Sequence, residues 1–401
     1  MFCHNAYISS SLRVLMRQVV YWGLYDLANT IFSALFVTFY FPLYIKNYLG
    51  GSEFMIGLVF GLSLLTVGVL VPFIGAWSDK VGVRMPFIAV FTVLCCLATL
   101  AVPFSGLSLA LFLGFVANFC YHAALTVYNA LLPTVSKGTS TGWASGVGAG
   151  LGYCGTVIAL LVCFQLLNAF GWESKAGVQS IFIATAVLFM SLSLFLFLGV
   201  KETPKPRHAF IGREVMQGLH FIWRNLRVRR FLLGMFFYTN GVTAVIIFLF
   251  LFAQEVLGLT PRDFFFFFGF FALWSVIGSL TAGRFTAIHG GIRVLVWTGL
   301  LWIITVILLM VSPTLFAFGV AGITGGAALG SVWTASRPQL LELVPKKRVG
   351  SFFGFLELTG KMSGVLGPVI FGWLASFASY NWALLSLLVF FVIGIAFIKG
   401  V

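Results

Sequence analysis

Charge is what this chain has least of. Asp, Glu, Lys and Arg make up 8% of its 401 residues, and only 10 of them are acidic. A water-soluble chain carries roughly 25% charge to cover its surface, so a soluble globular protein is excluded. Metal-binding and redox cysteine motifs are missing too. Cys3, Cys95, Cys96, Cys120, Cys154 and Cys163 show no C-x-x-C spacing and mostly lie inside apolar runs, as small hydrophobes do. No P-loop, metal cluster or Ser-His-Asp arrangement is present, which removes the sequence basis for ATP-driven transport or intramembrane catalysis. No cofactor is expected.

What fills the chain instead is apolar: 60% hydrophobic residues and a mean hydropathy of +1.06. Lipid must cover its outside. The net charge of +14 would suit a nucleic-acid partner, but the basic residues fall in short loops between apolar runs, and no such partner is expected.

A spanning helix needs about 20 mostly apolar residues. Twelve runs qualify: 19–48, 54–77, 85–104, 106–134, 141–170 and 176–200, then 231–257, 263–285, 292–312, 314–338, 349–378 and 380–399. The first follows Arg13 and Arg17 but far exceeds a signal-peptide core and lacks a clear cleavage site, so it reads as a retained span. The positive-inside rule tests the count. With the N-terminus inside, twenty of the 24 Lys and Arg fall on the cytoplasmic side. Lys46, Lys175 and Arg262 fall outside, and Lys361 lies within a span. Both termini are expected in the cytoplasm, most simply at a bacterial inner membrane.

Features recur at a nearly constant offset. Asn29 matches Asn240, Gly75 matches Gly283, Leu131-Leu132 matches Leu340-Leu341, and Gly146 and Gly152 match Gly354 and Gly360. This argues for duplication of a six-helix unit, giving an all-α membrane protein of twelve helices in two pseudo-symmetric bundles, 1–200 and 231–401. Between them, 201–230 carries Ile211, Val215, Met216, Leu219, Ile222, Trp223 and Leu226 at helical spacing, interleaved with arginines. An amphipathic helix on the membrane surface fits; it serves either as a topogenic linker or as an anionic-lipid contact.

After the second run stands Gly75-Ala76-Trp77-Ser78-Asp79-Lys80-Val81-Gly82-Val83-Arg84. It resembles the signature loop of the major facilitator superfamily, and the resemblance implies a cytoplasmic gating loop carried by Gly75, Asp79, Gly82 and Arg84. The second copy has Ala287 in place of Asp79. Tyr25-Asp26-Leu27-Ala28-Asn29 and Phe41-Pro42-Leu43-Tyr44 in the first span, Tyr238-Thr239-Asn240-Gly241 in the seventh, and Phe353-Gly354-Phe355, Gly360-Lys361 and Leu366-Gly367-Pro368 in the eleventh are similar to the vacuolar amino-acid effluxer family associated with autophagy and its bacterial relatives. That resemblance implies export of a small solute, with neutral amino acids as one class.

Charged side chains inside a membrane are costly and face a cavity or a partner. Asp26, Glu357 and Lys361 qualify. Glu357 and Lys361 are four apart on one helical face, either as a structural ion pair or as a site for a zwitterionic or anionic substrate or a proton. Asp26, with Asn29 one turn on, is a candidate for proton coupling or for the substrate amine, with Lys361 as its candidate counter-charge; the alternative places it in the loop network. Asn118, His122 and Asn129 either line the cavity or bond between helices, and Arg337 caps its helix or joins the loop. Tyr25, Tyr153, Trp333 and Phe355 are candidate pocket aromatics. Gly150-Leu151-Gly152-Tyr153-Cys154-Gly155 has the spacing of a dinucleotide loop but lies inside a span, where glycines serve helix packing.

The expected function is a secondary transporter of a small organic solute working by alternating access, with protons as candidate coupling ion. The bilayer surrounds it and a monomer suffices. A drug or lipid-like exporter, or a non-transporting receptor or scaffold, is the open alternative.

Overall fold

The computed structural model describes residues 2–172, 174–204 and 210–401. The side chains of Arg13, Lys205, Arg207 and Arg262, which enter the loop tally, lie outside what is described. The first half contains α1 (Met16–Leu49), α2 (Glu53–Val81), α3 (Met85–Ala101), α4 (Leu107–Asn129), α5 (Thr141–Phe170) and α6 (Lys175–Gly199). A linker helix (Ile211–Arg224) follows. The second half contains α7 (Leu226–Leu257), α8 (Pro261–His289), α9 (Gly291–Val311), α10 (Leu315–Leu343), α11 (Val349–Phe377) and α12 (Tyr380–Lys399). Eleven stretches among the described residues are long and apolar enough to cross a membrane. Val349–Phe377, which carries Glu357 and Lys361, stands where the twelfth is expected.

Polar residues set the helix ends. Ser52, Ser140, Ser174, Thr260 and Thr314 each accept a backbone N–H of the first turn they precede. Gly82 closes α2 in the left-handed region (φ +76°), donating its N–H to Ser78 O at 3.0 Å. Several expected boundaries move: the fourth span ends at Asn129 rather than 134, the eighth runs to His289 rather than 285 and the tenth to Leu343 rather than 338. The seventh span begins at Leu226 rather than 231, because the Asn225 side chain accepts the Arg227 and Val228 N–H groups and starts the helix there. The second runs to Val81 rather than 77. Within α1, Ser33–Tyr40 is π-helical, a feature common at functional sites.

Each half packs around aromatics: Trp22, Tyr25, Phe32, Tyr44, Tyr128 and Phe182 in the first, and Phe231, Tyr238, Trp302, Phe352 and Phe391 in the second. Where the halves meet, α2 lies on α11 and α5 on α8. Both contacts are glycine-lined. A Cβ on Gly75 would lie 2.2 Å from the Gly350 carbonyl oxygen, and one on Gly142 would lie 3.0 Å from that of Gly283. The repeat offset carries Gly75 onto Gly283 and Gly142 onto Gly350, so the two contacts are copies of one another. Both sit at the end of the molecule where the linker emerges. Toward the other end the halves part: Gly57 and Gly61 of α2 and Gly360 and Gly364 of α11 have nothing within 4 Å of an added Cβ.

Candidate functional site

The loop after α2 ties the halves together at the linker end. Asp79 Oδ1 accepts from Arg84 Nη2 at 2.9 Å and from the Gly350 N–H at 3.1 Å, and Oδ2 accepts the Ser351 N–H at 3.0 Å. Arg348, at the N-cap of α11, gives that helix no side-chain cap. Asp79 therefore caps α11 from the opposite half, placing a carboxylate where helical N–H groups lack partners and the helix dipole is positive. Glu202, absent from the sequence expectations, accepts the Arg84 and Met85 N–H groups at 2.7 Å each and caps α3. Only its position near the start of the polar linker hinted at a role. At the equivalent α5–α8 contact, Ala287 stands where Asp79 would and brings no carboxylate to the start of α5.

Deeper in, a second tie crosses the halves. Arg337 Nη1 of α10 donates to Asp26 Oδ2 of α1 at 3.1 Å, with both residues buried. The guanidinium also lies over the Trp22 ring, 5.5 Å from its centroid. Trp22 is itself fixed: it stacks on Tyr128 at 4.7 Å, its Nε1 donates to Tyr128 O, and the Tyr128 hydroxyl donates to Trp22 O. Two expectations are thereby corrected. Asp26 pairs with Arg337 rather than Lys361, and Arg337 neither caps its helix nor joins the loop. It lies inside α10, which continues to Leu343, and is buried against α1 rather than exposed at a helix end.

Lys361 makes the third tie. Its Nζ lies 3.0 Å from Nδ1 of His122 on α4 and 3.7 Å from Glu357 Oε2. The Glu357–Lys361 pair thus forms as the spacing of four predicted, and it meets the opposite half through an imidazole. By helix rise Lys361 stands about 18 Å along α11 from its start, near the middle of the span. Asn118 does not join this cluster; its Nδ2 donates to Ser63 Oγ of α2 at 3.0 Å, an interhelical bond within one half.

The asparagines in equivalent places behave differently. Asn240 is fully buried and donates to Phe236 O at 2.8 Å. Asn29 is 2% exposed, yet among the described residues neither its Oδ1 nor its Nδ2 has a hydrogen-bond partner. Of the pocket aromatics, Tyr25 and Phe355 are core residues, whereas the Tyr153 hydroxyl donates to Leu329 O across the halves at 3.1 Å. Tyr153 and Thr156 also border a cavity of about 150 Å³ in the second half, on the side away from the linker end. Phe248, Phe268, Phe271, Trp302, Phe318 and Phe371 help to line it, none of them among the candidate pocket residues of the sequence.

Two helical bundles that touch at one end, part at the other and share charged contacts at their interface have the architecture of a membrane carrier. The chain matches the sequence model of the Major Facilitator Superfamily over residues 27–286 and 261–400 and belongs to that family. Its family and fold are those of a secondary transporter in a membrane. It is 25% identical over 418 residues to the MFS-type transporter YxiO of Bacillus subtilis (strain 168), covering 95% of this chain and 94% of that one. It is 22% identical over 271 residues to autophagy-related protein 22 of Yarrowia lipolytica, covering 57% of this chain and 44% of that one. The crystal structure of the human organic anion transporter MFSD10 (TETRAN) superposes with a TM-score of 0.77 at 15% identity, covering 96% of this chain and 99% of that one, a likeness of fold.

Proposed function

We propose that this protein carries a small zwitterionic organic solute, with neutral amino acids the leading class, across a bacterial inner membrane by alternating access coupled to protons. The observation that carries the reading is the pair of charged ties across the halves, Asp26–Arg337 and Glu357–Lys361–His122, with the Asn29 amide, which has no partner among the described residues, one turn from Asp26. An unsatisfied buried amide is costly, so Asn29 is an available hydrogen-bonding group for a substrate. A molecule bearing both an ammonium and a carboxylate can compete for Asp26 and Glu357 on one side and for Arg337 and Lys361 on the other. Competition of that sort loosens the ties that hold the halves in one state, which is what transport requires. The similarity to autophagy-related protein 22 and the motifs of the amino-acid effluxer family support the same substrate class.

Under this reading 1–200 and 231–401 are the two rocking units, joined by 201–230, and a single chain suffices. Both termini face the cytoplasm, so the closed linker end is the cytoplasmic one and the structure is outward-facing. The test is counterflow in proteoliposomes with labelled neutral amino acids, with and without a pH gradient. Accumulation that depends on the gradient in wild type and vanishes in Asp26→Asn supports the proposal. Counterflow by none of them rejects the substrate class.

A second reading has its own observation. The cavity of about 150 Å³ in the second half is lined almost wholly by apolar and aromatic side chains, and cavities of that size and character hold a benzene-sized group. This favours a solute with an apolar moiety, as a drug or lipid-like exporter would carry. Competition by apolar amines in the same counterflow assay distinguishes it.

A further inference from the structure

The linker helix has three faces, of which the transporter fold uses one. Val215 and Gly218 are buried against the gate. Gly218 approaches the Phe355 ring so closely that a Cβ there would lie 2.8 Å from it, and Phe221 meets Phe352 edge-on at 5.6 Å. Glu214 pairs with Arg348 Nε at 2.8 Å, and Arg348 also donates to Gln217. Phe352 and Phe355 lie within a turn or so of the Gly350 and Ser351 amides that Asp79 caps. The helix also packs on α2, so it straddles the closed contact between the halves.

The second face is apolar and, among the described residues, left exposed. Met216 is 65% exposed and Trp223 71%, with Leu219 between them and Phe210 exposed just before the helix. The third face is basic, with Arg213, His220 and Arg224 exposed, and Arg227 follows at the start of α7. The segment 210–230 has a single acid, Glu214, and it is engaged with Arg348. The helix sits where α6 ends and α7 begins, at the level where the spans leave the bilayer. An exposed apolar strip beside a basic strip at that level matches acyl chains next to anionic headgroups.

We propose that the linker helix binds anionic phospholipid of the adjoining leaflet and, because its remaining face is seated on α2 and α11, that this lipid favours the state closed at the linker end. Its contacts with α11 and with α2 can be made together only while Gly75 and Gly350 keep those two helices in touch. A ligand that holds it in place therefore shifts the two-state equilibrium toward closure. This rests on the fold and does not depend on the substrate proposed above.

The test is hydrogen exchange of the amides in 75–82 and 349–353, with the full chain in nanodiscs of phosphatidylcholine alone or with 30% phosphatidylglycerol. Exchange reports the closed contact without needing a substrate. Protection is expected to rise at least threefold with phosphatidylglycerol, and the rise to disappear in Arg213→Gln/Arg224→Gln/Arg227→Gln and in Met216→Ser/Trp223→Ser. Equal protection in the two lipids overturns the proposal in wild type alone, whatever the variants do. So does a rise that persists in the arginine variant, or one reproduced in phosphatidylcholine by soluble glycerol phosphate.

Discussion

The Asp79 carboxylate accepts the Ser351 N–H at 3.0 Å, so an acid at the end of α2 caps a helix belonging to the opposite half. A helix N-terminus has several donors without internal partners, and here the partner is present only when the linker end is closed. Closure and capping are one event. When the halves separate at this end, α11 loses its cap and Asp79 keeps only Arg84. Asp79→Ala should therefore weaken the closed state by about 1–2 kcal/mol, the usual worth of a cap, and slow transport about tenfold. Asp79→Asn, which keeps one acceptor, should cost less. Distances between spin labels at the linker end measure the shift; unchanged distance distributions in Asp79→Ala would contradict the capping argument.

Asp26 and Arg337 make a different prediction, because both are buried and each is the other's counter-charge. Removing one partner of such a pair costs about 3–5 kcal/mol, whereas removing both costs far less. Asp26→Asn and Arg337→Gln should each lower the thermal midpoint of the purified protein by several degrees. The double variant should recover most of that loss yet remain inactive in transport. Additive losses in the double-mutant cycle would mean that the two side chains do not interact in solution.

The contrast between these ties and Glu357–Lys361 shows what sequence reading can reach. Glu357 and Lys361 share a helix, so a spacing of four predicts their contact. The long apolar helices and the loop around Asp79 were legible for the same reason: each is a pattern along the chain. Arg337 and Asp26 are 311 positions apart, and no periodicity links them; near the end of a span, Arg337 read as a cap of its own helix or a partner of the loop. The linker helix was legible as amphipathic, but its apolar residues divide between a face on the gate and a face left bare. Spacing alone could not separate the two. The cavity in the second half was hidden because so many phenylalanines must face lipid that those lining a cavity do not stand out.

The glycine contacts predict a steric switch. A Cβ on Gly75 would stand 2.2 Å from the Gly350 carbonyl oxygen, which is backbone and cannot swing aside. Gly75→Val should hold the linker end open, expose nearby engineered cysteines to a membrane-impermeant thiol reagent, and reduce transport at least tenfold. Gly142→Val should do the same through Gly283 and Ala287 on the other side. Gly61→Val, whose Cβ meets nothing within 4 Å, serves as the control and should transport at the wild-type rate. Similar labelling in all three variants would remove the glycines from the gate.

Lys361 offers the sharpest separation of a structural ion pair from a working site. Lys361→Met leaves Glu357 uncompensated within the span and removes the donor to His122, so lost activity in that variant alone would be ambiguous. Glu357→Gln/Lys361→Met removes both charges and should restore stability close to wild type, because an ion pair within the span costs little when replaced as a unit. If the cluster serves the substrate, the stable double variant will still bind solute at least tenfold more weakly in a thermal-shift titration. His122→Gln should share that loss, since it keeps a hydrogen-bonding group but not the imidazole that meets Lys361 across the halves. Lys361→Arg should retain part of the affinity. A double variant that transports at the wild-type rate would reduce the pair to a device for lowering the cost of burial, and the solute would then have to be held by Asp26, Arg337 and Asn29 alone.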